Sequence, residues 1–169
     1  MKNSLNAIIL CGGLSTRLGE ITKSTPKISL EIKGKTVLEW QLEKLKKVGV
    51  TEVVLAAGHL AEVLREQVGF HKNGVDIIYA IEQERLGTGG AIKHAWEYVS
   101  QPEEPTMILN GDIFSTIDFG DFALQASEEG RGPAPARARR EPQQVAVLPG
   151  PRDELQADGQ AVLDAAGQR

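Results

Sequence analysis

Four short segments of this sequence carry groups suited to holding a chain of phosphates. The first is Gly12-Gly13-Leu14-Ser15-Thr16-Arg17-Leu18. Paired glycines let a phosphate come close to the backbone, where side chains would otherwise block it. Ser15 and Thr16 add hydrogen-bond donors, and Arg17 adds a rigid fork of N–H groups for phosphate oxygens. The turn is neither a Walker A loop nor a G-x-G-x-x-G dinucleotide turn. The second segment, Thr25-Pro26-Lys27, presents a lysine from backbone stiffened by proline. The third runs from Glu82 to Ala91 and combines Gly87, Gly89 and Gly90 with the free amides of a helix start, which suit an anion or a base edge. The fourth, Asn110-Gly111-Asp112, ends a strand with a carboxylate, a hard-oxygen ligand of the kind magnesium takes. Each also has a plain structural reading: a tight turn with a surface arginine, a commonplace Pro-Lys, a flexible turn capped by Thr88, an ordinary Asn-Gly-Asp turn.

The elements that must position these segments are legible from two hydrophobic periods. Leu5 to Cys11, apolar throughout from Ala7, reads as a buried parallel strand running into glycines. Thr36 to Val48 reads as a helix with Leu38, Leu42, Leu45 and Val48 on one face. Thr36 and Glu39 form a capping box, and Gly49 stands as the C-terminal glycine. Strands are expected at Glu52 to Ala57, Val75 to Ile81 and Thr106 to Leu109, with helices at Leu60 to Val68 and Gly90 to Val99. This alternation is that of an α/β, three-layer Rossmann-like domain, a mostly parallel sheet with helices on both faces.

The composition changes after about residue 118. No lysine follows Lys93 and no aromatic residue follows Phe122, and Gly130 to Pro151 is rich in proline, alanine, glycine and arginine. Such a segment buries too little apolar surface to offset its ordering entropy. The expected division is therefore a nucleotide-binding unit over 1–125 and a poorly ordered tail, foreign to the fold, over 126–169. Val145 to Leu148 and Ala161 to Leu163 are apolar enough for short strands but too brief to carry the assignment.

A net charge of -4 gives no sign of a nucleic-acid partner. No stretch reaches the roughly 20 apolar residues of a membrane span, and the N-terminus lacks a signal-peptide core. The single cysteine, Cys11, excludes an internal disulfide and fits a reducing compartment, so a cytoplasmic protein is expected.

The order and spacing of the four segments are more specific than any one of them. Together with Val37-Leu38-Glu39-Trp40 through Gly49, they resemble the sugar-1-phosphate nucleotidylyltransferases over about residues 6–121. The Leu86-Gly87-Thr88-Gly89-Gly90-Ala91 version is most similar to the branch containing mannose- and heptose-1-phosphate guanylyltransferases. The resemblance implies transfer of a nucleotidyl group from a nucleoside triphosphate to a sugar 1-phosphate, giving an NDP-sugar and pyrophosphate. It implies catalytic roles for Arg17, on the triphosphate, and Lys27, at the α-phosphate. Leu10, Gly12, Gly13, Ser15 and Thr16 would line the nucleotide, although Ser15 stands where the family often has glycine. Glu82, Gly87 and Thr88 would lie toward the base, and Asp112 would hold Mg2+. A homo-oligomer is compatible with this reading.

The family's sugar-binding residues and a second metal-binding aspartate come from further downstream. Asp153, Asp158 and Asp164 sit in no matching motif. The alternatives to a working transferase are an inactive truncated or frame-altered fragment, a short variant completed by a partner subunit, and a nucleotide-binding regulatory module. An α/β scaffold with purely structural glycine loops is a further, different class.

Overall fold

A computed structural model describes residues 5–13, 24–114, 116–128 and 145–148. Six strands form one sheet: β1 (Asn6–Leu10), β4 (Glu52–Ala57), β5 (His71–Lys72), β6 (Val75–Ile81), β7 (Thr106–Asn110) and β8 (Val145–Leu148), in the spatial order β5-β6-β4-β1-β7-β8. β1 pairs in parallel with β4 and with β7, and β4 with β6. The two edge strands, β5 and β8, are antiparallel to their neighbours. A small hairpin of β2 (Glu31–Ile32) and β3 (Lys35–Thr36) lies apart from this sheet. The helices are α1 (Val37–Lys47), α2 (Ala61–Val68), α3 (Gly87–Trp96) and α4 (Phe119–Glu128).

Strand alternation builds two cores. Ala7, Ile9, Val53, Leu55, Ile77, Met107 and Leu109 face one side, where Leu38, Leu42 and Leu45 of α1, Leu64 of α2 and Phe119 of α4 cover them. Ile8, Val54, Ala56, Ala80 and Ile108 face the other, against Ala91, Ile92 and Ala95 of α3. Helices on both faces make this the three-layer α/β arrangement expected from the sequence. β1 is also where the winding reverses. Chain order runs from β1 through β4 to β6 on one flank and then crosses to β7 on the other, and open α/β sheets bind ligands outside the strand ends at such a point.

α1 carries both of its predicted caps. The Glu39 amide donates to Thr36 Oγ1 at 3.2 Å, and the Thr36 amide donates to Glu39 Oε2 at 2.7 Å. At the other end Val50 N–H reaches Leu45 O and Gly49 N–H reaches Lys46 O, each at 3.1 Å, a Schellman pair with Gly49 at φ 93°.

α3 starts three residues earlier than the apolar period predicts, at Gly87. Thr88 therefore lies in its first turn and is not its cap, the cap position being Leu86, which makes no side-chain capping bond. Gly87 itself has φ 68°, a turn value, so the difference lies in how the chain enters the helix.

The proline- and arginine-rich tail contributes one piece to the fold. Val145–Leu148, one of its two short apolar stretches, pairs antiparallel with β7, matching Thr106 to Leu148 and Leu109 to Val145. Ala161 to Leu163 lies outside the described residues.

Candidate functional site

The C-terminal ends of β1, β4, β6 and β7 open into one cleft of about 290 Å³. Leu10, Cys11, Gly12 and Gly13 enter it from β1, Ala56 from β4, and Asn110, Gly111 and Asp112 from β7. Lys27 and Ile28 come from the loop before the hairpin, and Glu82, Arg85, Gly87, Thr88 and Ala91 from the end of β6 and the start of α3. The described members of the predicted site thus converge: Leu10, Gly12, Gly13, Lys27, Glu82, Gly87, Thr88 and Asp112 share this cleft. Ser15, Thr16 and Arg17 lie outside the described residues.

Local structure fixes most of these groups. Lys27 opens a short 3-10 turn, Lys27–Ser29, preceded by Pro26 with φ -57°. Ile28 anchors that turn in the core at 1% exposure, which holds Lys27 at the cleft mouth. There Lys27 Nζ meets Asp112 Oδ2 at 3.1 Å, both groups partly open to solvent. The turn carrying Asp112 is tied down by Gly111 N–H, which donates to Leu10 O at 2.8 Å. A Cβ on Gly111 would stand 2.8 Å from that same backbone oxygen, so no other residue fits without moving β1 or β7.

The opposite wall is equally close-built. Glu82 N–H donates to Ala57 O at 2.8 Å, continuing the sheet past β6. Glu82 Oε2 accepts the Leu86 amide at 3.3 Å, which leaves the rest of the carboxylate open to further donors. Gly12 runs beside Gly58, where a Cβ would lie 3.2 Å from the Gly58 nitrogen. Cys11, a half-buried part of the cleft wall, has its Sγ 3.3 Å from Ala56 O, and burial, reinforced by the nearby Glu82 carboxylate, pushes the thiol up to about 12.

Arg85 and Gln41 are the groups that the sequence reading passed over. Arg85 was visible as a cation inside a glycine-rich segment. Gln41 gave no signal, because a glutamine among lysines and glutamates on an amphipathic helix looks like part of its wet face. It is buried, and its Nε2 donates to Asn110 O at 2.8 Å and to Ile113 O at 3.0 Å.

The cleft therefore joins backbone amides, two described cations and two carboxylates at the switch point of a parallel sheet. The sequence profile described as Nucleotidyl transferase matches residues 6–143. The chain belongs to the nucleotidyl transferase family. It is 44% identical over 124 residues to D-glycero-alpha-D-manno-heptose 1-phosphate guanylyltransferase of Campylobacter jejuni, covering 73% of this chain and 55% of that protein. It is 32% identical over 147 residues to mannose-1-phosphate guanyltransferase 2 of Candida glabrata, covering 85% and 41%. Among solved structures, HddC from Yersinia pseudotuberculosis complexed with GMP-PN is 33% identical with a TM-score of 0.61, over 72% of this chain and 53% of that one. The chain spans about half the length of the curated relatives it matches. The family match extends to residue 143 and takes in the whole of α4.

Proposed function

We propose that this chain provides the nucleotide-holding part of a sugar-1-phosphate guanylyltransferase, which transfers GMP from GTP to a sugar 1-phosphate and releases pyrophosphate. The observation that carries this reading is the meeting of Lys27 and Asp112 at the mouth of the cleft, one cation and one carboxylate beside the backbone turn that follows β1. The relatives named as heptose- and mannose-1-phosphate guanylyltransferases support guanine as the base.

In the reaction a phosphate oxygen of the sugar 1-phosphate attacks the α-phosphorus of GTP. The bond from that phosphorus to the bridging oxygen breaks, and pyrophosphate leaves. The protein's task in such a transfer is positioning and neutralising charge. Lys27 is assigned to the charge that builds on the α-phosphoryl oxygens, and Arg17 to the triphosphate. Leu10, Gly12, Gly13, Ser15 and Thr16 are assigned to the phosphates and ribose. Glu82, with Gly87 and Thr88, is assigned to the base. A carboxylate is an acceptor only, and guanine offers N1–H and N2–H donors on one edge.

The donor set suits a magnesium ion. Among the described residues no group of three or more His, Cys, Asp or Glu is gathered tightly enough to hold a metal alone. Magnesium usually takes one or two protein carboxylates and fills its other positions with water and phosphate oxygens. Asp112 would hold that ion, which when bound would offset charge on the phosphates. The described residues include no helix long and apolar enough to cross a membrane.

The test is pyrophosphate release by the purified chain with magnesium, each of five nucleoside triphosphates, and a panel of sugar 1-phosphates. Release with GTP and a heptose or mannose 1-phosphate is expected. A second reading, left open by the sequence, is nucleotide binding without turnover. It predicts a rise in melting temperature with GTP and magnesium but no pyrophosphate. Absence of both signals from folded protein overturns the two readings together.

A further inference from the structure

Gln41 lies on α1 between Leu38 and Leu42, is 5% exposed, and reaches the C-terminal end of β7 and the turn that follows it. A buried amide needs partners, and this one uses both of its N–H donors on a single turn. The acceptors, Asn110 O and Ile113 O, lie 69 and 72 residues away in sequence and bracket Gly111-Asp112. Both facing atoms are carbonyl oxygens, so only the NH2 end of the side chain can point at them. The orientation leaves Gln41 Oε1 buried and without a partner among the described residues. An unpaired buried acceptor is costly, and here it accompanies two donors delivered to the turn.

From these contacts we infer that Gln41 is a positioning residue for Asp112. It holds the two shoulders of the turn from the α1 side, while the Gly111–Leu10 bond holds it from the β1 side. The two ties fix the height at which the carboxylate stands in the cleft mouth opposite Lys27. Removing the amide frees the turn on one side and displaces the carboxylate, and a divalent cation held by it binds more weakly. This inference rests on the reading of Asp112 as the metal-holding carboxylate.

The experiment uses the full chain with saturating GTP and titrates Mn2+ as a paramagnetic probe, followed by water-proton relaxation, with thermal melts run in parallel. Three proteins are compared: the unaltered chain, Gln41→Met and Asp112→Asn. Gln41→Met, which keeps the side chain's length without its donors, should weaken Mn2+ binding about 10-fold or more, as loss of a partner that orients a metal ligand does. A residue that served only stability would lower the melting temperature and leave Mn2+ affinity in the folded protein unchanged, and that result overturns the inference. Should Gln41→Met fail to fold, Gln41→Asn, whose amide is one methylene short, takes its place in the same titration. If Asp112→Asn leaves Mn2+ binding unchanged, the underlying site reading fails. If Asp112→Asn weakens binding and the folded Gln41 variant does not, only the positioning role fails.

Discussion

Lys27 and Asp112, 85 positions apart in the chain, place Nζ and Oδ2 3.1 Å from each other across the open end of β1. Exposed pairs of this kind add little to stability, about 0 to 1 kcal/mol. With side chains 27% and 47% exposed, the pair is better understood as two ligand-facing groups that satisfy each other while the cleft is free. Nucleotide phosphates would take over the lysine.

Lys27→Met should therefore lower pyrophosphate release on the order of 100-fold, the usual cost of losing one donor to developing charge. The melting temperature should hardly move. A large loss of melting temperature with turnover per folded molecule unchanged would place Lys27 in the scaffold.

Glu82→Gln should relax the preference for guanine. The amide keeps the size of the side chain but turns one of its two acceptor oxygens into a donor, which faces guanine's N–H edge badly and a carbonyl-bearing edge better. Comparison of kcat/KM for GTP and UTP checks this, with a fall in the ratio of about 10-fold or more expected for one lost hydrogen bond to a charged group. An unchanged ratio would move base recognition elsewhere.

Gly111→Ala should destabilise the fold by about 1 to 3 kcal/mol, as overpacking does when backbone must give way. The added Cβ would stand 2.8 Å from Leu10 O and 3.0 Å from Ile28 Cδ1. Urea denaturation gives the number.

The capping box carries a pH signature. The Thr36 backbone amide, then the Thr36 hydroxyl and Lys72, hold the Glu39 carboxyl below its usual value of 4.5. The folded state thus binds this proton less readily than the unfolded chain. The contribution is present in full above the unfolded value and is lost as pH falls through the lower folded one. Thr36→Ala should cost about 1 kcal/mol at pH 7. Thr36→Ala keeps that backbone amide, so the pH signature is read from Glu39→Gln, whose gap to the unaltered chain should narrow below pH 4.5 in acid melts.

Cys11 should resist alkylation in the native chain at pH 8 and react once the chain is unfolded. A thiol pushed up to about 12 supplies almost no thiolate at that pH. Rapid modification of folded protein would contradict that upward shift of the thiol.

Much of this was legible in the sequence, for physical reasons. β4 and β6 begin and end where predicted, at Glu52–Ala57 and Val75–Ile81, because buried parallel strands are apolar runs with sharp polar borders. The capping box and Gly49 were legible because each depends on residues three or four apart. The glycine turn, Lys27, Glu82 and Asp112 were found as types at spacings, but their convergence depends on sheet order, which local periodicity does not encode. Gln41 was missed because its partners lie 69 and 72 residues downstream. The entry of α3 was placed late because three glycines argue against helix, while the chain tolerates them where amides must stay open.

β8 has a consequence for how this chain is made. Until residue 148 is available, the outer rim of β7 presents a row of unsatisfied amides and carbonyls on a strand with four of its five residues buried. A bare rim of that sort recruits other chains and invites aggregation. A product cut after residue 128 would retain every described cleft residue but leave β7 as the bare edge, whereas one continued through residue 148 gives β7 an antiparallel partner and moves the edge out to the short β8. These four residues cover one side of β7 and line no part of the cleft.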